Sequence, residues 1–156
     1  MTKTALLFPG QGSQRVGMGV ALAREFEVAR RTWEEADEAL GFSLSRLCAD
    51  GPESELMLTA NAQPAILACS IAVLRVLEAE KRLKFDVCLG HSLGEWSALV
   101  AARALTFTSA VKLTRLRGQY MQEAVAPGVG AMAAILGLGA PQLAEICAAA
   151  AQGEVV

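Results

Sequence analysis

The hydrophobic and polar positions of the chain separate short apolar runs from longer stretches with helical periodicity. Two runs, 4–8 and 85–89, are closed by glycine-containing turns, a pattern that predicts short buried strands. A third strand is predicted over 131–138. Helices are predicted where apolar residues recur at three- and four-residue spacing. These helical segments are 16–40, 43–49, 61–80, 95–102, 107–125 and 141–152.

This order of strands and helices predicts an α/β fold with a mostly parallel sheet and helices on both of its faces. A break is predicted at 127–130, where proline and two glycines interrupt the pattern. In such a fold the loops after parallel strands gather at one edge of the sheet, where ligands bind. The loops after the first two predicted strands are therefore candidate sites.

Composition narrows the function classes. The 156 residues are 53% hydrophobic and carry a formal net charge of −2, so no general affinity for nucleic acid is indicated. The chain has one histidine and four cysteines without a CxxC pair, so we expect no metal site and a reducing compartment. We also expect no signal peptide and no membrane-spanning segment, which favours a cytoplasmic protein.

The strongest chemical signal is the sequence Gly-His-Ser-Leu-Gly at 90–94. It lies between a predicted strand and a predicted helix, which is the context of a nucleophile elbow. The turn would expose the hydroxyl of Ser92, and the backbone N–H of Leu93 would serve as an oxyanion donor. The alternative role for Ser92 is that of an ordinary N-cap of the following helix.

Two further residues are candidates by their proximity to this elbow. His91 is the only histidine, but neighbouring side chains at a sharp turn diverge, so a supporting role is favoured over that of general base. The loop 9–14 follows the first strand and would bring Gln11 beside Ser92. This loop matches neither the dinucleotide fingerprint nor a phosphate loop.

Arg117 is ambiguous from sequence alone. It is either a solvated arginine on a helix, as we expect for Arg115, or a guanidinium that grips a carboxylate with two parallel hydrogen bonds. The neighbouring Gly118 would allow another element to approach closely.

Taken together, these motifs resemble the acyltransferase family of fatty-acid and polyketide synthesis, which includes malonyl-CoA:acyl-carrier-protein transacylases. Trp96 stands where this family commonly has a tyrosine. The resemblance extends over the whole chain and rests on landmarks in the family's order. These landmarks are residues 7–14, residues 62–65 (which include Gln63), residues 90–95, the pair Arg117 and Gly118 together with Met121, and residues 130–134.

The resemblance implies a ping-pong acyl transfer from malonyl-CoA to the phosphopantetheine thiol of acyl carrier protein, with no tightly bound cofactor. Ser92 would carry the acyl group, and Arg117 would pair with the malonyl carboxylate. Backbone N–H groups of Gln11 and Leu93 would form the oxyanion hole, with His91 and Gln63 near the elbow.

The resemblance also implies a domain organisation. Residues 1–127 would form part of a large subdomain with an α/β-hydrolase-like core, and 128–156 would begin a ferredoxin-like small subdomain. The family's catalytic histidine lies beyond this segment, so we expect an N-terminal fragment that is inactive alone. The incomplete subdomain would leave an open strand edge at 131–138 and favour association.

Three alternatives remain open. A serine hydrolase or thioesterase would use the same elbow with water as acceptor, although Arg117 favours a carboxylated acyl group. A malonyltransferase subunit of another malonyl-using system would share every motif. An inactive fragment that docks a carrier protein would retain the motifs without catalysis.

Overall fold

The computed structural model describes residues 3–80, 83–125 and 135–153. The chain divides into two units, Met1–Ala126 and Pro127–Val156. The elements of the first unit are β1 (Ala5–Phe8), α1 (Val20–Glu25), α2 (Glu27–Leu40), α3 (Leu44–Asp50), α4 (Glu53–Met57), α5 (Thr59–Ala79), β2 (Val87–Gly90), α6 (Gly94–Ala101) and α7 (Phe107–Ala124). The second unit contains α8 (Ala140–Ala151).

The two strands confirm the α/β class. They pair in parallel, with Ala5 opposite Val87 and Phe8 opposite Gly90. Because both strands end at the same edge of the sheet, the loop after β1 and the turn after β2 lie side by side. Within the described residues the sheet has these two strands. The finer expectations of a hydrolase-like core and a ferredoxin-like subdomain stay predictions.

The predicted third strand, 131–138, falls largely outside the described residues. Residues 131–134 are not described, and 135–138 do not form a strand. The open strand edge expected there therefore stays a prediction, as does the division into subdomains at 127 and 128.

Helix α5 forms the centre of the first unit. Thirteen of its 21 residues are buried, and it packs against α2, α6 and α7. By length and apolar composition alone, α5 would also suit a membrane span. Because 72% of the apolar stretch of this helix is buried inside the fold, packing in the core accounts for its apolar character.

Two predicted helices have the wrong bounds: one begins earlier than predicted, and the other is divided into two helices. Helix α5 begins at Thr59, so Pro64 lies inside it rather than in its first turn, and one backbone hydrogen bond is lost there. The single helix predicted over 16–40 is instead α1 and α2, separated at Phe26, which has extended backbone angles. The short helix α4 was not predicted.

Candidate active site

The turn between β2 and α6 has the geometry of a nucleophile elbow. Ser92 has φ +51°, a left-handed conformation that is rare outside glycine and clusters at functional sites. A Cβ on Gly90 would lie 2.0 Å from the carbonyl carbon of Gly94, and a Cβ on Gly94 would lie 2.2 Å from the Phe8 oxygen. Gly90 therefore lets the end of β2 lie against the first turn of α6, and Gly94 lets α6 pack against the end of β1.

The alternative role of Ser92 as a helix cap is not observed. Helix α6 is preceded by Leu93, and no side chain caps its N-terminus. Ser92 is exposed while Leu93 is fully buried. The turn therefore presents the Ser92 hydroxyl outward, and the buried Leu93 holds the turn in the core.

Arg117 reaches this hydroxyl from α7. Its Nη2 donates to the Oγ of Ser92 at 3.1 Å, and its Nη1 donates to the Oε1 of Gln63 at 2.6 Å. Gln63 is completely buried on α5, and its Nε2 donates to the sulfur of Met121 at 3.2 Å. Three elements distant in the sequence thus bring Ser92, Arg117, Gln63 and Met121 together.

The charge of Arg117 has no counterion inside the described parts of the chain. No Asp or Glu there lies within ion-pairing distance of its guanidinium, and both of its hydrogen-bond partners are neutral. A positive charge beside an exposed hydroxyl on a strained turn is well placed to receive an anionic group on a bound ligand.

Gly118 determines how closely Arg117 is held. A Cβ on Gly118 would lie 2.6 Å from the Ala60 Cα and 2.6 Å from the Thr59 oxygen. Because these are backbone atoms of α5, they cannot move aside cheaply. The predicted close approach of another element at Gly118 is confirmed, and it brings α7 against the N-terminal turn of α5.

His91 and Gln11 lie in the two adjoining loops. The backbone N–H of His91 donates to the Phe8 oxygen at 3.2 Å, and a Cβ on Gly10 would lie 2.7 Å from the His91 Nδ1. The His91 ring therefore packs on the loop after β1, and none of its described hydrogen bonds joins it to Ser92. Gln11 donates through Nε2 to the Oγ1 of Thr59 at 3.1 Å.

The oxyanion role of the Gln11 and Leu93 backbone N–H groups stays a prediction. A residue that sequence reasoning missed is Gln14, which is buried and holds this loop. Its Oε1 accepts from the Gly12 N–H at 2.8 Å, and its Nε2 donates to the Met57 sulfur at 3.0 Å. The sequence offers no signal for Gln14 beyond its position in the glycine loop.

The expectation for Arg115 is wrong. Its Nη1 donates to the Oδ1 of Asn61, and its guanidinium carbon lies 5.0 Å from the centroid of the Phe42 ring. Burial lowers the pKa of Arg115 from its ordinary value. Arg115 is thus a packing residue, and of the two neighbouring arginines only Arg117 contacts the elbow.

An apolar groove of about 420 Å³ borders Arg117 on α6 and α7. It is lined by Trp96, Leu113, Leu116, Arg117, Tyr120, Met121 and Ala124. Tyr120 is 61% exposed there, and Leu113 and Leu116 are also exposed. Within the described part of the chain, the site therefore combines a cation that has no counterion with an extended apolar surface.

Comparison with known proteins shows the family of this chain. The family described as "Acyl transferase domain" matches residues 5–156. Because that match covers nearly the whole chain, the chain belongs to the acyl transferase family. This confirms the resemblance drawn from the sequence motifs.

The individual relatives are more specific. The chain is 49% identical, over 157 aligned residues, to the malonyl CoA-acyl carrier protein transacylase of Haemophilus influenzae, covering all of this chain and 50% of that relative. It resembles the crystal structure of acyl-carrier-protein-S-malonyltransferase from Bartonella henselae with a TM-score of 0.92 and 46% identity, covering 99% of this chain and 50% of that one.

A third similar structure is a type II PKS acyl-carrier protein in complex with its malonyl-transacylase. That match has a TM-score of 0.92 and 45% identity and covers 99% of this chain and 50% of the matched chain. The chain thus spans about half the length of these relatives.

Proposed function

We propose that this chain carries the acyl-accepting half of a malonyl-CoA:acyl-carrier-protein transacylase. The observation that supports this most is the hydrogen bond from the Arg117 guanidinium to the Ser92 hydroxyl, made on a strained elbow and without a counterion in the described residues. An acyl group on Ser92 that ends in a carboxylate would supply the missing negative charge. The malonyl specificity named in the relatives fits this requirement.

The proposed chemistry is a double displacement. The Ser92 Oγ attacks the thioester carbon of malonyl-CoA, an oxygen–carbon bond forms, and the carbon–sulfur bond breaks to release the coenzyme A thiol. The thiol of the carrier protein's phosphopantetheine then attacks the Ser92 ester and restores the hydroxyl. In both steps the backbone N–H groups of Gln11 and Leu93 would hold the carbonyl oxygen as it gains charge.

Arg117 would change partner as the substrate enters. Its Nη2 would leave the Ser92 Oγ and pair with the malonyl carboxylate, which frees the hydroxyl for attack. The packing of His91 on the loop after β1 argues against His91 as the base. As the sequence resemblance implies, the Ser92 proton would pass to a histidine in the second half of such a transacylase. The four free cysteines fit a reducing compartment, so we also infer a cytoplasmic protein.

Two other candidates are less well supported. A thioesterase or other serine hydrolase acting on uncharged acyl groups gives no role to an uncompensated Arg117. A fragment that only docks a carrier protein gives no role to the strained φ of Ser92. A malonyltransferase subunit of another malonyl-using system shares the same first half-reaction, and only the acceptor thiol would distinguish it.

The test is intact-mass spectrometry after incubation with malonyl-CoA or acetyl-CoA. Two proteins are compared: this chain, and this chain fused to the part of the Haemophilus influenzae relative that follows its matched half. We expect a malonyl adduct on the fusion, little acetyl adduct, and loss of the adduct when acyl carrier protein is added. The chain alone should be labelled far more slowly, because no base contacts Ser92 among the described residues.

Two serine variants provide the control. Ser92→Ala should abolish the adduct, whereas Ser109→Ala, which removes an exposed hydroxyl near the start of α7, should leave it intact. A folded fusion that accepts no malonyl group would overturn the proposal. An adduct that persists in Ser92→Ala would do the same.

A further inference from the structure

The side-chain amide of Gln63 is buried between two partners of opposite character. Arginine only donates hydrogen bonds and the thioether sulfur only accepts them, so the amide must turn its oxygen to Arg117 and its nitrogen to Met121. Gln63 is fully buried, and both ends of the amide are occupied. The orientation of this side chain is therefore fixed from both sides.

The neutrality of Gln63 matters as much as its position. A buried carboxylate at the same place would hold the guanidinium equally well, but it would cancel the positive charge that a ligand needs. An apolar side chain would leave the charge free, but it would no longer fix the Nη1 group. Glutamine combines a fixed position with an uncompensated charge.

We propose that Gln63 is a positioning residue that makes Arg117 selective for acyl groups ending in a carboxylate. This inference rests on the proposed function and deepens it. The Gln63 oxygen holds Nη1, and Met121 holds the amide in turn. The guanidinium edge formed by Nη2 and Nε is left for the ligand, and a carboxylate takes it with two parallel hydrogen bonds. The contact of Nη2 with Ser92 Oγ keeps that edge beside the nucleophile.

The experiment measures binding of malonate and acetamide to the intact chain by NMR, following the Nε–H signal of Arg117. That signal is assigned by its absence in Arg117→Met. We expect malonate to shift the signal, whereas acetamide, which has no carboxylate, should leave it unchanged. The dissociation constant for malonate should rise about tenfold or more in Gln63→Glu, because the new carboxylate occupies the guanidinium.

Gln122→Glu is the matched control, since it adds the same charge to the same helix as Arg117. Gln122 lies near the Ala60 N–H and makes no described contact with Arg117. This variant should bind malonate within about twofold of the parent chain, as expected for a screened charge at a distance. If Gln63→Glu and Gln122→Glu weakened malonate binding equally, the effect would come from the added negative charge alone. That result would overturn the inference.

Gln63→Met covers the case in which Gln63→Glu fails to fold, as judged by thermal melting. It keeps the length of the side chain and removes the hydrogen-bond acceptor, so malonate affinity should fall severalfold while the chain stays folded. Parent-like affinity for malonate in a folded Gln63→Glu or Gln63→Met would overturn the inference.

The two proposals fail in different ways. Absence of malonate binding to the parent chain, with Ser92 still labelled in the fusion, would overturn the role of Gln63 alone. Malonate binding that depends on Gln63, with no Ser92 labelling in the fusion, would overturn the proposed function alone.

Discussion

Arg75 and Arg117 each join two helices of this molecule, but among the described residues only the charge of Arg75 is balanced by a carboxylate. Arg75 on α5 donates to the Glu35 carboxylate at 2.7 Å and to the Thr32 hydroxyl at 3.1 Å, with its guanidinium carbon 4.7 Å from the centroid of the Phe107 ring. Among the described residues, Arg117 on α7 is held at similar distances by two neutral groups, Gln63 and Ser92.

Under the proposed function, the difference separates an arginine that stabilises the fold from one that binds the ligand. The charge of Arg75 is balanced inside the fold, where it joins α2, α5 and α7. The charge of Arg117 is left open beside an exposed hydroxyl on a strained turn. A buried or half-buried charge without a counterion contributes little to the stability of the fold. The position of Arg117 is therefore better explained by a ligand that it binds.

The largest expected effect comes from removing each arginine in turn. Arg117→Met should weaken malonate binding by about tenfold to 100-fold, because charge-assisted hydrogen bonds are lost, and should also lower the free energy of unfolding by about 1–3 kcal/mol, because the buried oxygen of Gln63 loses its donor. Arg75→Met should leave malonate affinity unchanged and lower the free energy of unfolding by about 1–3 kcal/mol, because Glu35 loses its partner. NMR titration and urea unfolding measure the two quantities.

The comparison fails if the two effects are exchanged. Malonate affinity that falls in Arg75→Met as far as in Arg117→Met would mean that the two clusters act as one unit. A large loss of stability in Arg117→Met, with malonate affinity retained, would make Arg117 a second structural arginine.

A second, intermediate effect is expected at Gly118, which brings Arg117 against α5. Gly118→Ala should destabilise the chain by about 1–3 kcal/mol and also weaken malonate binding, because the new Cβ would meet backbone atoms at 2.6 Å. Urea unfolding measures whether Gly118→Ala raises or lowers the free energy of unfolding. At an unhindered helical position the same substitution stabilises by about 1 kcal/mol, so a gain of stability would contradict the close approach.

What the sequence could predict was local. The elbow at Ser92 was recognisable because its glycines, its strand and its helix are contiguous, and the structure supplies the steric reason for both glycines. The loop after β1 was placed beside it by the general geometry of parallel sheets. The break at Phe26 was missed because the apolar periodicity continues across it from α1 into α2.

What the sequence could not predict depends on partners that are distant along the chain. The spacing gave Arg115 and Arg117 the same appearance, yet Arg115 packs on Asn61 and Phe42 while Arg117 reaches Ser92. Gln63 was placed near the elbow only by resemblance. That its amide holds Arg117 follows from the packing of α5 against α7, which no local pattern encodes.

The smallest expected effect is at the edge of the Arg75 cluster. Thr108 donates through Oγ1 to the second Glu35 oxygen at 3.0 Å, from a half-buried position at the start of α7. Thr108→Val keeps the shape and removes this bond, so the free energy of unfolding should fall by about 1 kcal/mol. Thr108→Ser retains the hydroxyl and is the control.

Malonate affinity should stay at the parent value in both Thr108 variants, because the charge of Arg75 is balanced by Glu35 within its own cluster. A shift of malonate affinity in Thr108→Val alone would show that the start of α7 transmits strain to Arg117, and the two arginines would then no longer be independent.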